Sequence, residues 1–254
     1  MSASVHLERH GAVQVVTFDR PGVRNAFDRQ LAEGVCAALD ELERDDGLSV
    51  GILHGAGGTF SSGMDLRAFL RGELPEAGGH GLLGLVGRNR AKPLIAAVDG
   101  YALAAGFEVA LACDLIVAAA DARFGLPEVT RSLVPAGGAL LSLPQRVGLG
   151  VVYELALTGQ PLEAARAFDL GLVSRLAPSG ASLEPALELA GTIAANGPLA
   201  VEAIRAIIDR QRDWPREEFW QRQASISDPV QGSADAAEGA RAFTEHRPPV
   251  WRRA

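Results

Sequence analysis

Hydrophobic and polar residues alternate along the first part of the chain, and then their period changes. Residues 5–8 and 13–19 alternate on either side of His10-Gly11, which predicts a β-hairpin. Asp28 is the expected N-cap of a helix, because the apolar residues after it fall on one face at helical spacing. These residues are Leu31, Val35, Ala38, Leu39 and Leu42, and the acidic stretch 41–46 ends the helix.

Short apolar segments farther along the chain are typical of buried strands. They occupy residues 50–54, 93–98 and 115–119, and they alternate with helical patterns. From about Leu162 the pattern is mostly helical, with alanine-rich stripes over 183–195 and 199–212. This alternation indicates an α/β fold, and periodicity alone is compatible with a doubly wound sheet.

Glu108 is the only charged residue between Asp99 and Asp114. Burying an unpaired charge costs on the order of several kcal/mol, so a carboxylate kept in so apolar a stretch suggests a function. Glu128 ends a second, mainly apolar segment, residues 124–128. Two partly buried carboxylates suit acid/base chemistry, whereas the ordinary alternative for each is a solvated surface glutamate.

Two clusters of small residues accompany these acids. Residues 57–66 follow a predicted strand, and their glycines and serines would let a ligand approach the backbone closely. Ala104-Ala105-Gly106 precedes Glu108 where a buried helix is predicted to begin, so its N–H groups have no helical acceptor. Backbone N–H groups from the two segments would together form an oxyanion hole.

Composition narrows the class of protein. The chain has 254 residues, of which 48% are hydrophobic, enough for a sizeable core in one domain. The net charge of −7 and the pI near 5.3 disfavour a nucleic-acid or anionic-membrane surface. Residues 1–6 lack the pattern of a leader peptide, so a cytoplasmic location is expected. Cys36 and Cys113 lie in apolar surroundings and are expected to be buried thiols.

Other chemistries fit the sequence poorly. In residues 55–60 Phe60 stands where a dinucleotide-binding loop needs its third glycine. The five histidines show no paired metal-ligand spacing. Residues 58–63 do not form the Gly-x-Ser-x-Gly elbow of a serine hydrolase, and no histidine follows in a suitable context.

Five blocks in order resemble the enoyl-CoA hydratase/isomerase (crotonase) family over essentially the whole chain. The blocks are Arg20-Pro21 with Asn25-Ala26, then residues 60–66, 100–108, 124–128 and 135–138. The resemblance implies a coiled stack of β-β-α units rather than a doubly wound sheet. It places this core in residues 1–195 and a helical region in 196–254. That region would cover the site or join subunits, although plain packing helices would explain its apolar stripes equally well.

By this resemblance the chain is a carbon–oxygen lyase of fatty acid metabolism that reversibly hydrates a 2-enoyl-CoA thioester. The N–H groups of Ser62 and Ala105 would hold the thioester carbonyl, Glu108 would deprotonate the water, and Glu128 would protonate C2. One carboxylate must then be ionised while the other holds a proton near neutral pH. No metal or redox cofactor is implied, since CoA is part of the substrate.

The resemblance also implies a substrate-binding region and an assembly. The adenine end of CoA would lie near four residues, Arg24, Ala26, Asp65 and Leu66. The Gly-rich segment 71–84 is predicted to be a mobile loop beside the site. A homotrimer or a dimer of trimers is expected.

Departures from the family pattern leave alternatives open. Ala104-Ala105-Gly106 stands where the family often has three glycines, so the backbone would be strained if residue 105 needed a positive φ. His246 replaces a common lysine that contacts a phosphate from the neighbouring subunit, and Arg247 is the candidate substitute. A carnitinyl-CoA dehydratase, whose tail is similar, and an enoyl-CoA isomerase are the alternatives within the family. A non-catalytic oligomeric acyl-CoA-binding protein is the alternative from another class.

Overall fold

The computed structural model describes residues 4–254. Met1 to Ala3, half of the stretch 1–6 that lacks a leader pattern, lie outside the described residues. Within this range the strands are β1 (Val5–His10), β2 (Val13–Phe18), β3 (Val50–Gly55), β4 (Leu94–Val98), β5 (Tyr101–Leu103), β6 (Leu115–Ala119), β7 (Arg123–Gly125), β8 (Leu162–Glu163) and β9 (Arg175–Ala177). The α-helices are α1 (Arg29–Arg44), α2 (Leu66–Leu70), α3 (Ala105–Ala112), α4 (Ala139–Ser142), α5 (Leu149–Thr158), α6 (Ala164–Asp169), α7 (Leu183–Ala194), α8 (Pro198–Arg210), α9 (Phe219–Gln231) and α10 (Ala234–Thr244).

The predicted hairpin begins the main sheet. β1 and β2 are antiparallel, with Val5 opposite Phe18, and Gly11 adopts a φ of 62° in the turn. The strands predicted at 50–54, 93–98 and 115–119 are confirmed as β3, β4 and β6, each to within one residue. The main sheet has the order β1-β2-β3-β4-β6-β9, and every pair after the hairpin is parallel.

A second, smaller sheet rules out the doubly wound alternative. It has the order β5-β7-β8. β4 of the main sheet is followed directly by β5 of the small sheet and then by α3, and β6 is followed in the same way by β7 and a 3₁₀ turn at Pro127–Arg131. This is the coiled stack of β-β-α units that the resemblance implies, with a helical C-terminal region after it.

α1 forms as predicted, because its N-cap and its buried apolar face are both those that the sequence indicates. One carboxylate oxygen of Asp28 accepts a hydrogen bond from the Leu31 N–H at 2.9 Å. The predicted face is confirmed, since its five apolar residues are at most 1% exposed. α1 packs on one side of the main sheet, and α7 covers the other side with Ala186 and Ala190 against Val50 and Ile95. Strands covered on both faces are expected to be continuously apolar.

The C-terminal region confirms the predicted helical pattern. α9 contacts both α8 and α10, and the tail then returns along α8. The Trp251 indole N–H donates to the Ala195 carbonyl at 2.9 Å, and Arg253 pairs with Glu202 of α8 at 2.5 Å. The division at residue 195 stays a prediction. None of the helices formed by residues 4–254 is long and apolar enough to span a membrane.

We predict that Asp28→Ala lowers the free energy of unfolding by about 1 kcal/mol, because α1 loses its N-cap. Asp28→Asn is the matched control, since its side-chain oxygen keeps the cap while the charge opposite Arg20 is lost. Urea unfolding of the two variants and the wild type measures the difference. An alanine variant as stable as the asparagine variant would show that the cap does not stabilise α1.

Candidate active site

Glu108 is buried in the first turn of α3, with 4% of its surface exposed. Its Oε1 accepts the Gly137 N–H at 2.7 Å and the Ala139 N–H at 3.2 Å. Burial raises the pKa of the Glu108 carboxyl, and the two backbone N–H groups oppose that rise by favouring the charged form. Oε2 takes no part in these hydrogen bonds and is the oxygen left to act on a ligand.

Glu128 lies in the 3₁₀ turn at Pro127–Arg131 and differs from Glu108 in its partners. Its Oε2 is buried and has no hydrogen-bond partner among the described residues. Burial raises the pKa of Glu128 to about 7; the backbone N–H of Glu128 lowers it, the negative charge of Glu108 raises it, and the positive charge of Arg131 lowers it. The negative charge of Glu108 therefore contributes to the raised pKa of Glu128, and this raised pKa favours the protonated form of the Glu128 carboxyl toward neutral pH.

The segment around Ser61 is locked against the start of α3. The Ser61 N–H donates to the Tyr101 carbonyl at 2.8 Å, and the Leu103 N–H donates to the Ser61 carbonyl at 3.0 Å. Gly106 faces the same carbonyl, and a β-carbon there would lie 2.7 Å from the Ser61 oxygen. A glycine is therefore required at position 106 for the close approach of the two segments.

The backbone strain lies one residue earlier than the sequence suggests. Ala104 has φ 51° and ψ −127°, a conformation that glycine adopts much more readily than alanine. Ala105 is the first residue of α3 and is absent from the residues with positive φ. The strain considered for residue 105 is thus carried by Ala104, and the Ala105 N–H is left without an acceptor in the described residues.

The Ser62 N–H is not available as the second donor. It donates to the Arg24 carbonyl at 3.0 Å, so the expectation for Ser62 disagrees with the structure. Two residues farther along, Met64 pairs with Phe27 in a short parallel bridge. In this bridge the Phe27 N–H donates to the Gly63 carbonyl, and the Asp65 N–H donates to the Phe27 carbonyl. In such a bridge the N–H of Met64 points away from Phe27.

Gly63 brings Met64 next to the start of α3. A β-carbon on Gly63 would lie 2.8 Å from the Ala104 Cβ and 3.3 Å from the Ala105 nitrogen. Gly63 also has φ 99°, which disfavours any other residue there. Met64 N–H has no hydrogen-bond acceptor among residues 4–254. Met64 and Ala105 therefore offer the pair of free N–H groups that the sequence placed at Ser62 and Ala105.

The residues expected near adenine have unequal roles. Arg24 is exposed, with φ 53°, and Leu66 is 42% exposed, so both are accessible to a ligand. Ala26 is buried, and its carbonyl accepts a hydrogen bond from Arg20. Asp65 caps α2 through the N–H groups of the two residues after Leu66 and pairs with Arg20 at 3.2 Å. The Asp65 carboxylate is therefore occupied, and its role is to position this segment.

The segment 71–84 lies beside the site as expected. A β-carbon on Gly137 would lie 2.7 Å from the Leu82 Cδ2 and 2.6 Å from Glu108 Oε2, which places Leu82 next to the acid. Leu83 is fully buried despite a φ of 53°, so it anchors the end of the segment. The predicted mobility of the loop stays a prediction.

The tail does not leave Arg247 free for a phosphate. The guanidinium donates to both carboxylate oxygens of Glu238, at 2.6 and 3.0 Å, and to Glu245 at 2.7 Å. Hydrogen bonds from Arg247 and from the Val250 N–H lower the pKa of Glu238 to about 2. The substitution of Arg247 for the missing lysine is therefore disfavoured, because a phosphate would have to displace two carboxylates.

The comparisons with known proteins agree with this geometry. A family model described as enoyl-CoA hydratase/isomerase matches residues 8–254. Enoyl-CoA hydratase EchA19 of Mycobacterium tuberculosis is 39% identical over 250 residues, which are 96% of this chain and 94% of that protein. Carnitinyl-CoA dehydratase of Salmonella typhi is 39% identical over 260 residues, with 99% of each chain covered.

Solved structures show the same similarity. The crystal structure of enoyl-CoA hydratase from Mycobacterium tuberculosis H37Rv has a TM-score of 0.96 and 50% identity, covering 99% of each chain. That of enoyl-CoA hydratase EchA1 from Mycobacterium marinum has a TM-score of 0.95 and 51% identity over 98% of each chain. The chain therefore belongs to the enoyl-CoA hydratase/isomerase family and is an enzyme, like its relatives named enoyl-CoA hydratase.

We predict that Ala104→Gly raises the free energy of unfolding by on the order of 1 kcal/mol. A strained conformation of this kind costs about 1–3 kcal/mol in a non-glycine residue, which exceeds the roughly 0.5–1 kcal/mol that glycine loses in entropy. Ala112→Gly is the control, because this residue is helical and glycine should destabilise it. Denaturant unfolding that shows both variants destabilised equally would contradict strain at Ala104.

Proposed function

We propose that the enzyme reversibly adds water across the double bond of a 2-enoyl-CoA thioester. The observation that carries the proposal is the pair of carboxylates with different hydrogen bonding. Glu108 accepts two backbone N–H groups, whereas Glu128 has an unpartnered oxygen and a pKa of about 7. Hydration needs one ionised base and one acid that holds a proton near neutral pH, and this difference supports that assignment.

The backbone supplies the electrostatic part of the mechanism. The Met64 and Ala105 N–H groups donate to the thioester oxygen, and they stabilise the negative charge that develops there as water attacks C3. The close approach of Gly63 to Ala104 and Ala105 supports the placement of these two N–H groups next to each other. Removing one donor of this kind typically costs about 10²–10³ in rate.

The two acids move the protons. Oε2 of Glu108 takes a proton from the water that adds to C3, while Oε1 stays bonded to Gly137 and Ala139. Glu128 delivers its proton to C2, and the two roles are reversed in the dehydration direction. We propose that the reaction needs no metal or redox cofactor, because the thioester itself polarises the double bond.

The alternatives within the family differ in what they require. An isomerase needs only one of the two acids, so the presence of both supports hydration. The relative from Salmonella typhi is named carnitinyl-CoA dehydratase, and a dehydratase would use the same two carboxylates. A non-catalytic acyl-CoA-binding protein has no need for two acids held in apolar surroundings. Turnover of crotonyl-CoA distinguishes it from an enzyme.

We also propose a homotrimer or a dimer of trimers in the cytoplasm. Large apolar side chains on α5 and α8 support an assembly, since Tyr153 and Leu157 are 61% and 68% exposed and Ile204 is 58% exposed. Exposed apolar surface of this extent is typical of an interface between subunits.

We predict that Glu108→Gln and Glu128→Gln each lower the turnover of crotonyl-CoA by about 10²–10⁴, the usual range for a general base or acid. The wild-type kcat/KM for hydration should fall above pH about 7, as Glu128 loses the proton it must deliver. The residual activity of Glu128→Gln should lack this alkaline limb. Loss of crotonyl-CoA absorbance, followed across pH, measures both effects.

The controls for the acid variants are circular dichroism and CoA binding, which both variants should retain. A Glu128→Gln variant with nearly full activity would remove Glu128 as the acid and favour a one-acid isomerase. Retention of the alkaline limb by that variant would assign the limb to another group.

We predict that Met64→Pro lowers turnover by about 10² or more, because proline has no N–H to donate. Met64→Ala is the matched control, since it shortens the side chain and keeps the donor. Ser62→Ala should change turnover by only a few-fold, because neither its hydroxyl nor its N–H acts on the substrate. Equal activity of Met64→Pro and Met64→Ala in folded protein would contradict the assigned donor.

A further inference from the structure

A polar cavity of about 240 Å³ is lined in part by Glu108. Glu108 and Gly137 form part of its wall, so the cavity shares these two residues with the candidate active site. A water molecule in the liquid occupies about 30 Å³, so the cavity has room for several waters or for a short acyl segment. Atoms of the acyl group beyond C3 would enter it.

Arginines dominate the wall of this cavity. Five arginines line it against three acidic side chains, and none of its lining residues is aromatic. The arginines are Arg88, Arg90, Arg146, Arg205 and Arg212. An ordinary acyl pocket is lined mainly by hydrophobic side chains, so this composition indicates a polar ligand.

Most of this positive charge is already paired. Arg90 and Arg205 share the carboxylate of Asp114, at 2.7 and 3.0 Å. Arg205 also pairs with Asp209 at 2.7 Å. Arg88 pairs with Asp40 at 2.6 Å. These pairs build the wall and leave little charge for a ligand.

Arg146 and Arg212 have no carboxylate partner in the part of the chain that the structure describes, and Arg212 is exposed to solvent. Arg146 differs from it because it is partly buried. One of its Nη atoms donates to the carbonyls of Leu111 and Cys113 at the end of α3, at 2.9 and 2.6 Å. The Nε and the other Nη have no hydrogen-bond acceptor within residues 4–254. Burial lowers the pKa of this guanidinium, because it disfavours the charged form of a group that has no anion beside it.

We infer that Arg146 binds a carboxylate at the far end of the acyl group, so that the substrate class is a 2-enoyl-CoA whose chain ends in an acid. The remaining donors of Arg146 form charge-assisted hydrogen bonds with that carboxylate. The inference rests on the proposed function for the position of the acyl group relative to Glu108.

The same cavity disfavours the trimethylammonium end of a carnitinyl group. A quaternary ammonium is bound in proteins by aromatic rings, which the lining lacks, and it would meet an unpaired guanidinium of like charge. The carnitinyl alternative therefore fits this chain less well than an acidic acyl group.

The test compares saturated acyl-CoA ligands, which bind without being hydrated. Calorimetry should show that glutaryl-CoA or adipyl-CoA binds at least about tenfold more tightly than the methyl-ended pentanoyl-CoA or hexanoyl-CoA of equal chain length. Arg146→Gln should abolish this preference, and its amide can still donate to the carbonyls at the end of α3. Arg146→Lys should restore part of the preference, since it keeps the charge. Arg210→Gln, on α8 but outside the cavity, should leave the preference unchanged.

The result that overturns the inference is equal binding of the acidic and methyl-ended ligands by the wild type, or a preference that survives in folded Arg146→Gln. If Arg146→Gln does not fold, the wild-type comparison and Arg146→Lys still decide the question. Hydration of crotonyl-CoA is measured separately. If crotonyl-CoA is not hydrated, the proposed function is wrong. The binding comparison would still show whether Arg146 binds a carboxylate.

Discussion

The site depends on the parallel pairing of the segment at Ser61 with the segment at residues 101–103. Two backbone hydrogen bonds fix this pairing, and Gly106 lets the two chains approach closely. The same contact sets where α3 begins, and therefore where Glu108 points. It also places Gly63 against Ala104 and Ala105, which brings two free N–H groups together. A side chain at either glycine would separate the donors from the acid.

The difference between the two acids follows from their hydrogen bonds more than from their burial. Burial raises the pKa of both carboxyls. Glu108 receives two N–H groups from the loop at 137–139, which stabilise its charge. Glu128 lacks such partners for Oε2 and carries the repulsion of Glu108 as well. The energetic cost of keeping Glu128, together with the strain at Ala104, is typical of a site selected for chemistry rather than stability.

The sequence predicted what depends on local pattern. The hairpin, α1 with its Asp28 cap, and the buried strands follow from periodicity, and Glu108 was found because one charge in an apolar stretch is costly to bury. Which N–H faces the site could not be predicted, since it depends on pairing between distant segments. Ser62 donates to Arg24 and Met64 faces away from Phe27, and neither relation has a sequence signal.

Other features were likewise set by tertiary contacts. Residues 135–138 were recognised as a family block, but the role of Gly137 as a donor to Glu108 appears only in the folded chain. The pairing of Arg247 with Glu238 and the unpaired state of Arg146 also depend on partners that the sequence does not identify. The φ of 99° at Gly63 and its close approach to Ala104 and Ala105, which place Met64 beside α3, are also seen only in the folded chain.

The proposed chemistry depends most directly on a Glu128 that holds a proton near neutral pH in the folded enzyme. Infrared difference spectroscopy between the wild type and Glu128→Gln isolates the carboxylic-acid C=O band of this one residue. We expect the band to disappear with a midpoint at pH about 7. A midpoint near the ordinary value of 4.5 would contradict this expectation, because Glu128 would then be ionised and unable to act as the acid.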